Sequence, residues 1–161
     1  MTLSEFGVRD SFALGRDGET LSLYVAGIHL TEFDDRPYWP AFLTALRGTH
    51  RRLASGLNVG KHEQLLSGLS VEDAHWSLLD PNSTFDDLHS ELRFANWGPT
   101  TDGHVCFLLP INGSLFVSCS EVGSLSVSTA PFQPHDSAVA ISQFLAEAAQ
   151  PFAPADGFAA R

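Results

Sequence analysis

Residues 105–119 read VCFLLPINGSLFVSC, and the fold turns on how this stretch pairs with itself. Asn112-Gly113 stands at its centre. Both residues tolerate the positive φ of a type I′ turn, so the pair signals a two-residue hairpin between the flanking apolar runs. Closing that turn fixes the register. Ile111 faces Ser114, Pro110 faces Leu115, Leu108 faces Val117, and Cys106 faces Cys119. Opposed pairs alternate between hydrogen-bonded and non-bonded sites, which puts 110/115 and 106/119 at non-bonded ones. Pro110 therefore needs no N–H toward its partner, and its missing donor weakens only the strand's other edge.

A second turn signal follows at Glu121-Val122-Gly123. A three-residue loop with Gly in the left-handed position would return the chain at once. Leu125 would then face Cys119, and Val127 would face Val117. On that register Cys106, Leu108, Leu115, Val117, Cys119, Leu125 and Val127 share one core face, while serines 118, 120, 124, 126 and 128 decorate the other. LRFANW (92–97) supplies a preceding strand, so 92–129 is a meander of hairpins. Upstream, residues 11–30 read as another hairpin turning at Asp17-Gly18. In its second strand Leu21, Leu23 and Val25 alternate with Ser22, Tyr24 and Ala26.

Helical periodicity fills the rest. Trp39, Phe42, Leu43, Leu46, His50 and Leu53 fall on one helical face, predicting a helix over 37–55. Asp34 or Asp35 can cap it, Pro37 and Pro40 are tolerated before or in its first turn, and Arg47, Arg51 and Arg52 suit its C-terminal half. KHEQLLSG reads as a short helical segment. Ser70-x-x-Asp73 resembles a capping box opening a helix over 70–79. LDPNSTFDDLHSEL reads as a loop with one helical turn. A last helix over 136–149 takes Asp136 or Ser137 as cap, with Val139, Ile141, Phe144, Leu145 and Ala148 on its buried stripe. Hairpins dominate and no alternating βαβ series appears. The expectation is α+β: one domain over 1–150, mainly antiparallel sheet covered by helices. Residues 151–161 are expected to be a flexible tail.

The 161 residues suit a single domain with a sizeable core, and 43% hydrophobic content with 12 Phe argues against global disorder. No apolar run is long enough to span a bilayer. MTLSEFGVRDS lacks a basic segment followed by an apolar one, so no secretory signal is expected and the cytoplasm is the default location. The net charge of −10 disfavours DNA and RNA as partners and steers a basic one in. Charge is uneven: Arg47, Arg51, Arg52 and Lys61 are four of the nine basic residues.

No chemical motif stands out. Cys106 and Cys119 are expected to be buried free thiols in a reducing compartment, with a disulfide as the alternative. The seven histidines form no HExxH or CxxC…H pattern. Asp86-Asp87-Leu88-His89 and Asp102-Gly103-His104 could each supply metal ligands, although loop capping is the more frequent use of such residues. There is no GxSxG, no GxxxxGK[ST] and no strand-linked GxGxxG. The reading is therefore no catalytic residues, no metal and no cofactor.

Surfaces remain. Glu32, Asp34 and Asp35 lie beside Tyr38 and Trp39. A second patch gathers Phe94, Trp97 and the TTDG loop with its Asp102, and Asp86, Asp87 and Glu91 lie nearby in sequence; Trp97, before a Gly-Pro at a strand end, is expected to be partly exposed. Aromatic anchors among carboxylates suit a basic protein partner. The candidate partner-binding residues are Glu32, Asp34, Asp35, Tyr38, Asp86, Asp87, Trp97 and Asp102.

Two stretches, YVAGIHLTEFDDRPYWPAFLTAL (24–46) and WGPTTDGHVCFLLPING (97–113), give the chain a resemblance to the immunity proteins that protect bacteria from their own polymorphic or secreted toxins. The resemblance carries over no site residues. It implies a non-enzymatic antitoxin, as monomer or homodimer, in a one-to-one complex with a toxin whose active-site cleft is basic. A secretion chaperone for an effector is the alternative, disfavoured because the chain starts with a hairpin rather than a helix. A small enzyme of unrecognised type, using His104, Asp102 or the 86–89 cluster, is a third reading.

Overall fold

Asn112 and Gly113 take positive φ, 51° and 78°, and turn the chain as a type I′ pair does. All the expected pairs of this hairpin are present, from Ile111 opposite Ser114 to Cys106 opposite Cys119. In the computed structural model, which describes residues 3–150, it is the centre of one of two antiparallel sheets. The tail expected over 151–161 lies outside the described residues. Strands β1 (Ser4–Val8), β2 (Phe12–Asp17), β3 (Thr20–Val25) and β4 (Ile28–His29) form the first sheet in sequence order. Strands β5 (Arg93–Phe94), β6 (His104–Ile111), β7 (Ser114–Glu121) and β8 (Ser128–Pro131) form the second. Helices α1 (Trp39–Ala54), α2 (Val71–Leu79) and α3 (Asp86–Leu92) come between them in sequence, and α4 (Pro134–Ala148) follows. The α+β class is the one the sequence implied.

The β7–β8 connection differs from expectation. Ser128 faces Cys119 and Ala130 faces Val117, three residues later than a tight loop would place them. Ser124 N does close a turn on Glu121 O (3.0 Å), but Ser126 N then donates to Ser124 Oγ (3.1 Å). That local side-chain bond competes with the ladder and carries the chain outward. An odd slip exchanges the two faces. Leu125 is therefore 95% exposed and Val127 only half-buried, and Ala130 takes the core position.

The β6–β7 hairpin is buried on both faces. Cys106, Leu108, Val117 and Cys119 face a core shared with Phe12, Leu14 and Leu23 of the first sheet, Phe42 and Leu46 of α1, and Ile141 and Phe144 of α4. Phe107, Leu109 and Ile111 face a second core with Leu66, Ala74, Leu78, Leu88 and Leu92, under α2 and α3. Ser118 and Ser120, expected on an outer polar face, are buried in that second layer. Their hydroxyls bond the fully buried His75 ring, Ser118 Oγ at Nδ1 (2.7 Å) and Ser120 Oγ at Nε2 (2.8 Å). Each polar group of this trio thus has a partner. The cysteines are free thiols, with Cys106 Sγ donating to Cys119 Sγ at 2.8 Å. Burial pushes the Cys106 thiol well above its ordinary value.

Local predictions fared unevenly. Ser70 caps α2 by accepting from Asp73 N at 3.0 Å. Neither Asp34 nor Asp35 caps α1: its N-cap is Tyr38, with no side-chain cap bond. Pro134 starts α4 two residues early, a position where its missing N–H costs nothing, so Asp136 and Ser137 lie inside the helix. Val139 is exposed, and Ala138, Ala140, Ile141 and Phe144 form the buried stripe. Residues 86–92 make a helix rather than a loop with one turn, because Leu88 and Leu92, four apart, both reach the second core. The sheets are tied by Ser11 Oγ, which donates to Pro131 O (2.8 Å), and by Ser128 Oγ, which donates to Ala26 O.

Desolvation lowers the His75 pKa to about 4, below the 6.5 of an unperturbed ring. A folded pKa below the unfolded one means this contribution to stability is complete above pH 6.5. It falls away as pH drops from 6.5 toward 4 and is constant below that, with a ceiling of about 3 kcal/mol. Urea unfolding across this range should show the loss in the wild type. In His75→Gln, which keeps hydrogen-bonding capacity and does not titrate, that share of the slope should vanish.

Candidate functional site

Thr31 leaves β4 and buries its hydroxyl against β3. Its Oγ1 donates to Leu21 O (2.7 Å) and accepts from Leu23 N (3.2 Å). Four residues on, Asp35 O accepts from Leu21 N (2.7 Å). The chain is pinned at both ends to the same strand. Glu32, Phe33 and Asp34 arch outward between the two pins, and all three are exposed. Phe33 is 89% exposed. The backbone bond at Asp35 also explains why these acids do not cap α1: this stretch is committed to β3 before the helix begins.

A cleft of about 380 Å³ opens between this arch and the 121–128 connection. Glu32 and Phe33 line it from the arch; Ser124 and Ser126 line it from the connection; His29, His104 and Glu121 line it from the sheets. Among the described residues, no Lys or Arg lines it. His29 stacks on Tyr24, with ring centroids 4.5 Å apart, and the Arg9 guanidinium lies 4.4 Å from the same Tyr24 ring. His104 opposes Glu121 across the ladder. Burial lowers its pKa, and the Glu121 charge opposes this. His104 Nδ1 is buried without a hydrogen-bond partner.

Of the residues expected to bind a partner, Glu32, Asp34, Asp35 and Tyr38 are exposed together along 32–38, with Tyr38 at 74%. Asp86 begins α3, Asp87 is exposed on that helix, and Asp102 is exposed just before β6. Neither Asp87 nor Asp102 lines the cleft. Trp97 needs correction: it is only 5% exposed. Its ring packs edge-on against Phe12, Phe42 and Phe94, and its Nε1 donates to Thr49 Oγ1 at 2.8 Å. The indole N–H finds its partner inside, so nothing draws the ring to the surface.

Among the described residues, no group of three or more His, Cys, Asp or Glu could hold a metal ion. The His75–Ser118–Ser120 trio is sealed in the second core. A groove of about 410 Å³ gathers Arg52, Lys61 and His62 around Glu91. Arg52 donates to Glu91 O at 2.6 Å, at the end of α3. Lys61 (3.0 Å) and His62 (2.5 Å) bond the Glu91 carboxylate and hold its pKa below the ordinary value. No helix among the described residues is long and apolar enough to cross a membrane.

No protein-family model matches this chain, and no curated protein or solved structure matches it.

Sequence reasoning missed Phe33, Glu121 and Leu125. Phe33 was readable, since it stands between Glu32 and Asp34 where a core residue is out of place. Leu125 was assigned to the core because the tight-loop register was accepted for β8.

Thr31 is the structural key to the arch. Thr31→Val leaves Leu21 O and Leu23 N without their buried partner and should cost about 1–3 kcal/mol in urea unfolding. Amide exchange over 31–35 should accelerate. Phe33→Ser should change stability by less than about 0.5 kcal/mol, because the ring is in water.

Proposed function

We propose that this protein is an immunity-type binding module that docks its acidic arch, with the facing 121–127 connection, onto a cognate bacterial toxin and neutralises it without chemistry of its own. The observation that carries this reading is Phe33: a buried anchor at Thr31 holds an aromatic ring 89% exposed between two carboxylates. An exposed Phe forgoes roughly 1.5–3 kcal/mol of burial, which a partner surface would recover. Leu125 on the neighbouring connection is bare in the same way. Apolar anchors surrounded by carboxylates select a partner that is apolar at the contact and basic around it. The surplus of negative charge over the whole chain, −10, would speed encounter with such a surface. This is the surface expected of a stoichiometric inhibitor acting in the cytoplasm on a toxin with a basic cleft.

The test is titration of this chain against the product of a toxin-like gene immediately adjacent to its own. A one-to-one complex with loss of toxin activity is expected. The double charge reversal Asp34→Lys and Asp35→Lys should weaken binding by about tenfold or more, ~1.4 kcal/mol, with the melting temperature unchanged. Unchanged affinity in the reversed variant, or a toxin that stays active in the complex, contradicts the proposal.

A further inference from the structure

We propose that the cleft beside the arch seats one arginine side chain of the docked protein partner, its guanidinium held between the Glu32 and Glu121 carboxylates, an inference that rests on the docking function proposed above. Size, charge and donor geometry point the same way. At about 380 Å³ the cleft lies near the small end of ligand sites, roughly 300–1,000 Å³, and has room for one long side chain. Carboxylates line it from both the arch and the end of β7, and among the described residues no Lys or Arg lines it to neutralise them. An anion is thereby refused. A divalent metal lacks the three-ligand group it would need among the described residues.

Arginine fits better than lysine. A guanidinium presents five N–H donors in a plane, more than two carboxylate contacts use, whereas an ammonium is a strongly hydrated point charge. Ser124 and Ser126 supply the additional acceptors. Ser124 Oγ already accepts from Ser126 N, and the two hydroxyls share a further hydrogen bond of 3.0 Å; Ser126 Oγ keeps a free lone pair, and Ser124 Oγ keeps one when it donates in that shared bond. Burial lowers the His104 pKa, against the opposing pull of Glu121, and so disfavours a competing positive charge beside the guanidinium. Phe33, 89% exposed, lines the cleft and can cover its entrance as the partner closes, while Leu125, 95% exposed between the lining residues Ser124 and Ser126, offers a further apolar contact. Water would then be excluded from the charge pair, the condition under which it contributes most.

The test needs no partner at first. The full ¹⁵N-labelled chain is titrated with Nα-acetyl-arginine methylamide and, separately, with its citrulline analogue, which keeps the shape and loses the charge. Saturable shifts at His29, Glu32, Phe33, His104 and Glu121 are expected for arginine and not for citrulline. They should fall at least tenfold in apparent affinity in Glu32→Gln/Glu121→Gln, whose dispersed spectrum shows that the fold is intact. Equal response to citrulline, shifts centred elsewhere or no shifts overturn the inference, and a stronger response to the lysine analogue overturns the choice of arginine. The two proposals fail separately. If the toxin is bound equally well by Glu32→Gln/Glu121→Gln but poorly after charge reversal at Asp34 and Asp35, the cleft inference falls and docking stands. If arginine fills the cleft while the toxin is not bound, docking falls.

Discussion

The β6–β7 ladder is the constraint on which the structure depends. Its eight opposed pairs run from Ile111–Ser114 to His104–Glu121. Even-numbered positions of β6 face the core shared with the first sheet, and odd-numbered ones face the core under α2 and α3. One hairpin therefore serves as the common wall of two hydrophobic cores. A slip of one residue would exchange the faces, sending Phe107 and Leu109 against the first sheet and Cys106 and Leu108 under α2. Asn112-Gly113 guards against that slip, because a two-residue turn at positive φ permits one register. The His75 clamp adds to it, since only the observed register brings Ser118 and Ser120 to the two nitrogens of one ring.

The same ladder places the cleft. Its open end carries His104 and Glu121 as the last pair, and the chain leaving Glu121 becomes the connection that faces the arch. The arch is fixed to β3 of the other sheet, and Ser128 bonds Ala26 across the two sheets. The two sides of the cleft thus belong to different sheets held by a common core. Preorganisation of this kind spares a binding surface the entropy of ordering a loop on contact. It also accounts for a large aromatic side chain being kept in water, where an untethered segment would be free to fold Phe33 back onto the protein.

How far the sequence revealed this depended on whether the information was local. The hairpin register was legible because turn chemistry and pairing arithmetic fix it within a few residues. So were the helix of 70–79, through Ser70 and Asp73, and the apolar face of α1. The β8 register was not, because the Ser124–Ser126 bond competes with a loop signal that looks equally good in one dimension. Trp97 was misread for a related reason. Its partner Thr49 lies far away in sequence, so the Gly-Pro after it suggested an exposed strand end. The second core went unseen because serines at 118 and 120 mimic a solvated face, and only the arrival of His75 makes them interior. For the site, one side was visible as acids in 32–35. The other side, 121–126, needed the tertiary structure.

Hydrogen–deuterium exchange of this chain, alone and saturated with the adjacent-gene toxin, bears most directly on the central claim that the arch and the facing connection form the docking surface. New protection confined to residues 31–38 and 122–127, with the β6–β7 ladder unchanged, is the result predicted. Protection centred on the Arg52–Lys61 groove or on the exposed side of α4, with 31–38 exchanging as in the free protein, would contradict it.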